Sequence, residues 1–121
     1  MPKTNVVFFA EEDSSVPVLE WISGLPEKVQ DKLVARIELL EEKGYELRRP
    51  HADILRDGIH ELRTRHIKVQ YRVLYFFCDK AAVLSHGLTK EDVVPPKEID
   101  LAIRRKGRFQ ADPEKHTYRE T

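Results

Sequence analysis

The residues whose types and spacing can do chemistry lie between Leu55 and Tyr75, LRDGIHELRTRHIKVQYRVLY. The stretch reads as two strands joined by a tight turn, with arginines set inside the strands. Strand side chains alternate between faces, so Glu61, Arg63 and Arg65 share one face. In the second strand Ile67, Val69, Tyr71, Val73, Tyr75 and Phe77 form one face, and Lys68, Gln70 and Arg72 lie on the other. With Arg65 and His66 as the turn, Thr64 pairs with Ile67. Arg63 then falls opposite Lys68, Glu61 opposite Gln70 and Leu62 opposite Val69, and Arg72 follows on the side of Arg63. A two-residue slip keeps this sorting of charge from apolar surface. Guanidinium groups crowded on a sheet repel one another unless an anion meets them. Phosphate is the natural anion, because arginine holds it bidentately.

Arg48, Arg49, Arg56, Arg65 and Lys68 extend the basic cluster, and Tyr71, Tyr75 and Phe76 stand beside it. Aromatic faces stack on exposed bases, so single-stranded RNA is the target that offers both chemistries. The competing reading makes Tyr71 and Tyr75, which alternate with Val69 and Val73, part of the core. A metal-free ribonuclease needs a base for the 2′-hydroxyl proton, cations for the phosphorane charge and an acid for the leaving 5′-oxygen. Arginines supply the electrostatic part. His86, at the end of the last strand, and Lys90 just after it are the titratable candidates. His86 has the right intrinsic range, with a buried core role as the equal alternative; Lys90 would need the like-charge repulsion of neighbouring arginines. If His86 is the base, cleavage falls as the pH drops below its pKa.

His51, His60, His66, His86 and His116 lack metal-type spacing. The chain has no Gly-rich phosphate loop, HExxH, GxSxG or calcium loop, so no metal and no cofactor is expected.

These side chains need elements to hold them. Val6 to Ala10 reads as a first strand. Ser14 or Ser15 is a candidate cap for a short helix over Val16 to Ser23. Pro26 suits the first turn of a second helix, whose stripe of Val29, Leu33, Ile37 and Leu40 recurs at helical spacing. Val34 and Leu39 widen the stripe, and Arg36 at its edge packs its stem while its head reaches water. No chemistry is expected of this helix, which stops at Gly44. Residues 45–57 form a connection with a short strand near Ile54, and Asp57-Gly58 is a turn signal. After the two charged strands, Ala81 to Leu88 is apolar on both sides and reads as internal to the sheet. A last helix opens near Pro96 and ends near Gly107. Helices separate from an antiparallel meander, which is the α+β pattern.

The 121 residues fit one domain, and the net charge of zero conceals an asymmetry. Residues 1–47 hold five Lys/Arg against ten Asp/Glu, residues 48–72 seven against three, and residues 73–121 nine against eight. An acidic helical portion and a basic sheet portion suit a focused anion site more than a general polycation. The single cysteine, Cys78, excludes an internal disulfide and a cysteine zinc cage. No apolar run approaches the ~20 residues of a membrane span. The start, MPKTNVVFF, is poorly shaped as a signal peptide, so the cytoplasm is the expected compartment.

Four ordered segments carry a family resemblance: Leu55-x-Asp57-Gly58-Ile59-x-Glu61-Leu62-Arg63, then Tyr71-Arg72-Val73-Leu74-Tyr75, then Leu84-x-His86-Gly87-Leu88-x-Lys90, then Pro96-x-Glu98-Ile99-x-x-Ala102. Together they resemble the HigB-like branch of the RelE superfamily of bacterial toxins, over about Phe8 to Phe109. The resemblance implies an α+β domain over 1–109, with two N-terminal helices on an antiparallel sheet of about four to five strands and a C-terminal helix, followed by a polar tail over 110–121. It implies a type II toxin, an endoribonuclease that cuts mRNA, usually in the ribosomal A site, and so inhibits translation. Its partner would be an antitoxin, often with a helix-turn-helix DNA-binding domain. By position, Arg63 and Arg72 match the family's basic sheet residues, and His86 and Lys90 match its strand-end HGFxKK segment. That segment reads HGLTKE here, with Leu88 for the aromatic and Glu91 for the second lysine. A catalytically inactive RNA- or protein-binding relative is therefore the alternative. The tail is longer than the family leads one to expect, and Tyr118 or Arg119 can fold back to the site or meet an antitoxin.

Overall fold

The apolar run near the N-terminus forms β1 (Asn5–Phe8), and the chain then turns into α1 (Pro17–Ser23) and α2 (Glu27–Lys43). A one-turn 3-10 helix (Gly44–Glu46) leads to β2 (Ala52–Ile54), β3 (Ile59–His66), β4 (Val69–Cys78), β5 (Ala81–Thr89) and α3 (Pro96–Ala111). The computed structural model describes residues 3–89 and 93–119. Among them no helix is long and apolar enough to cross a membrane.

Neither serine caps α1. Val16 stands at its N-cap, and the Glu20 carboxylate accepts the Val16 N–H at 3.0 Å. α2 follows its stripe, with Val29, Leu33 and Leu40 buried, while Val34 is half exposed. Gly44 ends it at φ +56, a conformation open to glycine.

The five strands form one mixed sheet in the order β1-β5-β4-β3-β2. β2 to β5 are the expected antiparallel meander, but β1 joins β5 in parallel. β5 is internal, as its two apolar sides require.

The helices divide between the faces. Val18, Val29, Leu33 and Leu40 from α1 and α2 pack on Leu62, Tyr71, Val73, Tyr75 and Leu84. Ile99, Ala102 and Phe109 from α3 pack on Ile59, Leu74, Phe76 and Val83 on the other side. β4 is thus covered on both faces, which explains its near-continuous apolar run. Gly87 shows how close the approach is: a Cβ there would overlap the Trp21 ring of α1.

The C-terminal segment is part of the fold. Thr117 bridges Phe9, Tyr118 N–H donates to the Phe8 carbonyl at 2.9 Å, and Ala10 N–H donates to the His116 carbonyl at 2.9 Å. The buried His116 ring stacks on Phe9, with centroids 4.9 Å apart. Residues 116–118 therefore line the chain at the end of β1.

Candidate functional site

The β3–β4 hairpin turns at Ile67 and Lys68, not at Arg65 and His66. His66 pairs with Val69, Arg65 with Gln70, Arg63 with Arg72 and Glu61 with Leu74. Each partner lies four residues from its expected place. Four is even, so every side chain keeps its face, and Arg63 and Arg72 become direct neighbours. The Arg63 N–H donates to the His51 carbonyl at 2.8 Å, and its carbonyl accepts Arg36 Nε at 2.8 Å. Both groups point away from β4, so Arg63 and Arg72 form the closer, non-hydrogen-bonded kind of pair, about 4.5 Å between Cα atoms.

Two like charges at that spacing need a counter-charge. Glu61, two residues before Arg63 on the same face, provides it. Its carboxylate is hydrogen-bonded to the Arg72 guanidinium, and Arg63 Nε lies 3.6 Å away. Glu61 and Arg72 are buried; the Arg63 side chain is a quarter exposed. The arginines were expected to await an external anion. Arg72 instead meets an internal carboxylate, because a guanidinium at this depth is costly without one.

Two hollows share Arg63 in their walls. The first, about 400 Å³, is lined by Arg36, Arg49, Pro50, His51, Arg63, Thr64, Arg65 and Gln70, with no carboxylate in its wall among the described residues. The second, about 410 Å³, is lined by Arg49, Asp53, Leu55, Glu61, Arg63, Arg72, Val93 and Val94. Arg49 and Arg63 belong to both. β2 is short and leaves the later part of β3 uncovered, so α2 supplies the missing donors. Arg36 reaches the Arg63 carbonyl, and Lys32 Nζ donates to the Arg65 carbonyl at 3.0 Å. Arg36 is thus a site residue on a helix from which no chemistry was expected. Nothing in its helical spacing could disclose a partner on β3.

Arg49 pairs with Asp53 at 2.7 Å on the surface. These hydrogen bonds, with one from the Ile54 N–H, hold the Asp53 carboxyl below its usual range. An exposed pair of this kind is worth little, so an incoming phosphate can compete for Arg49. Arg48 lies over the Tyr45 ring and lines a neighbouring hollow with Arg49 and His51. Lys68 stands exposed at the hairpin tip.

Arg56 does not reach the cleft; it pairs with Asp57 and with Asp100 of α3 at 2.7 Å. Tyr71 does not face it either. It is a buried core residue beside Trp21, and the Tyr71–Val73–Tyr75 alternation is an inward face, with Val69 partly exposed at the start of the strand. Phe76 and Tyr75 are fully buried as well. Lys90 and Glu91 lie outside the described residues.

His86 is only 8% exposed. The ladder between β4 and β5 slips between Leu74 and Tyr75, which pair with His86 and Leu84 and leave Ser85 over. Such a bulge breaks the alternation of side chains, and both Ser85 and His86 turn toward α3. Ser85 Oγ lies 2.8 Å from His86 Nδ1, Glu98 Oε1 lies 3.1 Å from Nε2, and Arg105 donates to the Ser85 carbonyl at 3.2 Å. Arg105 continues to Glu11 at 3.1 Å. Burial lowers the His86 pKa, with the Arg105 charge adding to it, against the pull of Glu98. Both ring nitrogens are engaged, and the neutral ring satisfies the network with its proton on Nε2. Ser85 is fully buried and no substrate reaches it.

His51 is the one histidine in the walls of the two hollows beside Arg63. Its Nδ1 is buried without a hydrogen-bond partner among the described residues. In the sequence its place beside Arg48, Arg49 and Pro50 was visible, but its convergence with Arg63 across β2 and β3 was not.

The family model described as phage-derived protein Gp49-like (DUF891) matches residues 20–107. That span runs from α1 to α3 and contains both hollows. No curated protein matches the chain.

Proposed function

The chain belongs to the phage-derived Gp49-like family, a toxin-like family of the RelE superfamily, and on that premise we propose that it is the toxin of a type II toxin–antitoxin pair that cleaves mRNA on the ribosome. The observation that carries this reading is the first hollow, where Arg36, Arg49, Arg63 and Arg65 converge and no carboxylate lines the wall among the described residues, although Arg49 and Arg63 also meet Asp53 and Glu61. Preorganised guanidinium groups stabilise the charge that develops on phosphorus when a 2′-oxygen attacks it. Arg63, shared by both hollows, holds the scissile phosphate; Arg72, gripped by Glu61, positions Arg63. His51 takes the 2′-hydroxyl proton, since an imidazole can accept and return a proton near neutral pH. A cognate antitoxin, with a helix-turn-helix DNA-binding domain, covers the cleft.

Expression of the chain alone in a bacterium is expected to arrest translation and growth, and Arg63→Ala to relieve the arrest. Translation in vitro with and without the protein, with transcript 5′ ends mapped, reads the cleavage directly. Normal growth with soluble, folded protein overturns the proposal. His51→Asn should slow the chemical step.

Two observations favour a second reading, a catalytically inactive RNA- or protein-binding relative. Glu61 occupies Arg72, and His86 is closed inside the α3 interface. That reading expects salt-dependent RNA binding with no new 5′ ends.

A further inference from the structure

The β3–β4 hairpin ends in a side chain that is wrong for its backbone. His66 pairs with Val69, leaving Ile67 and Lys68 as a two-residue loop, and Ile67 has φ +58. In such loops that position belongs to glycine, asparagine or aspartate. A β-branched residue is the least suited to it, and local strain of this kind persists where it is used. Ile67 gains no burial in return, being 80% exposed, and Val69 beside it is 38% exposed. The tip is braced from both sides: Arg65 Nε donates to the Ile67 carbonyl at 3.4 Å, and Lys32 holds the Arg65 carbonyl.

The surroundings are basic. Arg63, Arg65, His66 and Lys68 lie within residues 62–70, which contain no acidic residue. Arg65 and Gln70 also line the first hollow, so the tip continues the cleft. Arg63 to Ile67 along a strand is about 13 Å, a span of roughly two stretched nucleotides.

Resting on the RNA reading above, we propose that the hairpin tip is a second RNA contact, which receives an unpaired base of the strand leaving the cleft. Ile67 takes the face of the base, and Arg65 and Lys68 take the flanking phosphates. This surface extends recognition beyond the nucleotide that reacts.

The test uses the full chain, fluorescein-labelled 2′-O-methyl oligoribonucleotides of 3 and 12 nucleotides, which resist cleavage, and fluorescence anisotropy. Ile67→Gly fits the positive φ, so its melting temperature should equal or exceed that of the native chain. Its affinity for the 12-mer should fall about tenfold, while the 3-mer, which fills the cleft alone, binds as before. Unchanged affinity for the 12-mer overturns the tip contact and leaves the cleft reading intact. If native protein binds neither RNA, the RNA reading itself fails. If Ile67→Gly instead loses the cognate antitoxin and keeps the 12-mer, the tip belongs to a protein interface and the inference is wrong. A clearly lower melting temperature means that Ile67 is packed, which also overturns it.

Discussion

Between Arg63 and Arg72 the Glu61 carboxylate decides what the basic patch can do. A sheet face holding two adjacent arginines keeps its positive character only partly when one carboxylate serves both. Breaking a buried pair by removing one partner typically costs about 3–5 kcal/mol, whereas exchanging both for apolar residues of similar size is often neutral. Glu61→Ala is therefore expected to lose about 3 kcal/mol in urea unfolding. Glu61→Leu combined with Arg72→Met should recover most of it. A single variant as stable as the native protein would show that the pair has no structural role. At this scale the common face of Arg63 and Arg72 was legible, because period two survives any even slip. Their direct pairing was not, because Ile67-Lys68 carries none of the residues that announce a two-residue turn. The buried place of His86 was one of two readings the sequence left open; the bulge at Ser85 that turns it toward α3 shows only once β4 and β5 are laid side by side.

The elements themselves were largely readable. α2 begins after Pro26, ends at Gly44 and buries the stripe its spacing marks. The Asp57-Gly58 signal makes a tight turn, with both residues at positive φ and Ile59 N–H donating to the Arg56 carbonyl at 2.9 Å. The segment after α3 was the least readable. Its composition is polar, yet His116 is buried against Phe9 and Thr117 adds a bridge beside β1. One backbone bridge and one stacked ring leave no periodic pattern to detect. Burying a phenylalanine side chain is worth about 1.5–3 kcal/mol. Truncation after Ala111 is expected to expose Phe9 and lower stability by about 2 kcal/mol in urea unfolding; unchanged stability would mean that the segment is dispensable.

At the scale of the whole molecule, two buried histidines tie the folding equilibrium to pH. Burial, aided by the charge of Arg48, lowers the His60 pKa from 6.5 to about 4, and burial lowers that of His86 as well. A histidine that stays neutral in the fold while the unfolded chain takes up a proton stabilises the protein fully above the unfolded pKa. That stability is lost as the pH falls from about 6.5 toward the folded value. The His60 share is on the order of 3 kcal/mol. Urea midpoints should drop between pH 7 and pH 4.5, and His60→Phe should shrink the drop; a flat profile would contradict the burial of both rings as neutral groups. By itself the sequence determined the α+β composition, the apolar stripe of α2, the internal place of β5 and the sorting of arginines to one face. Those properties depend on local periodicity and on the chemistry of single residues. Only the tertiary structure decided that β1 runs parallel to β5, that α3 covers the opposite face from α1 and α2, that Glu61 meets Arg72, and that Arg36 and His51 join Arg63 in one hollow. Each of these depends on segments distant in the chain arriving side by side, and the free energy of that meeting belongs to no single stretch of residues.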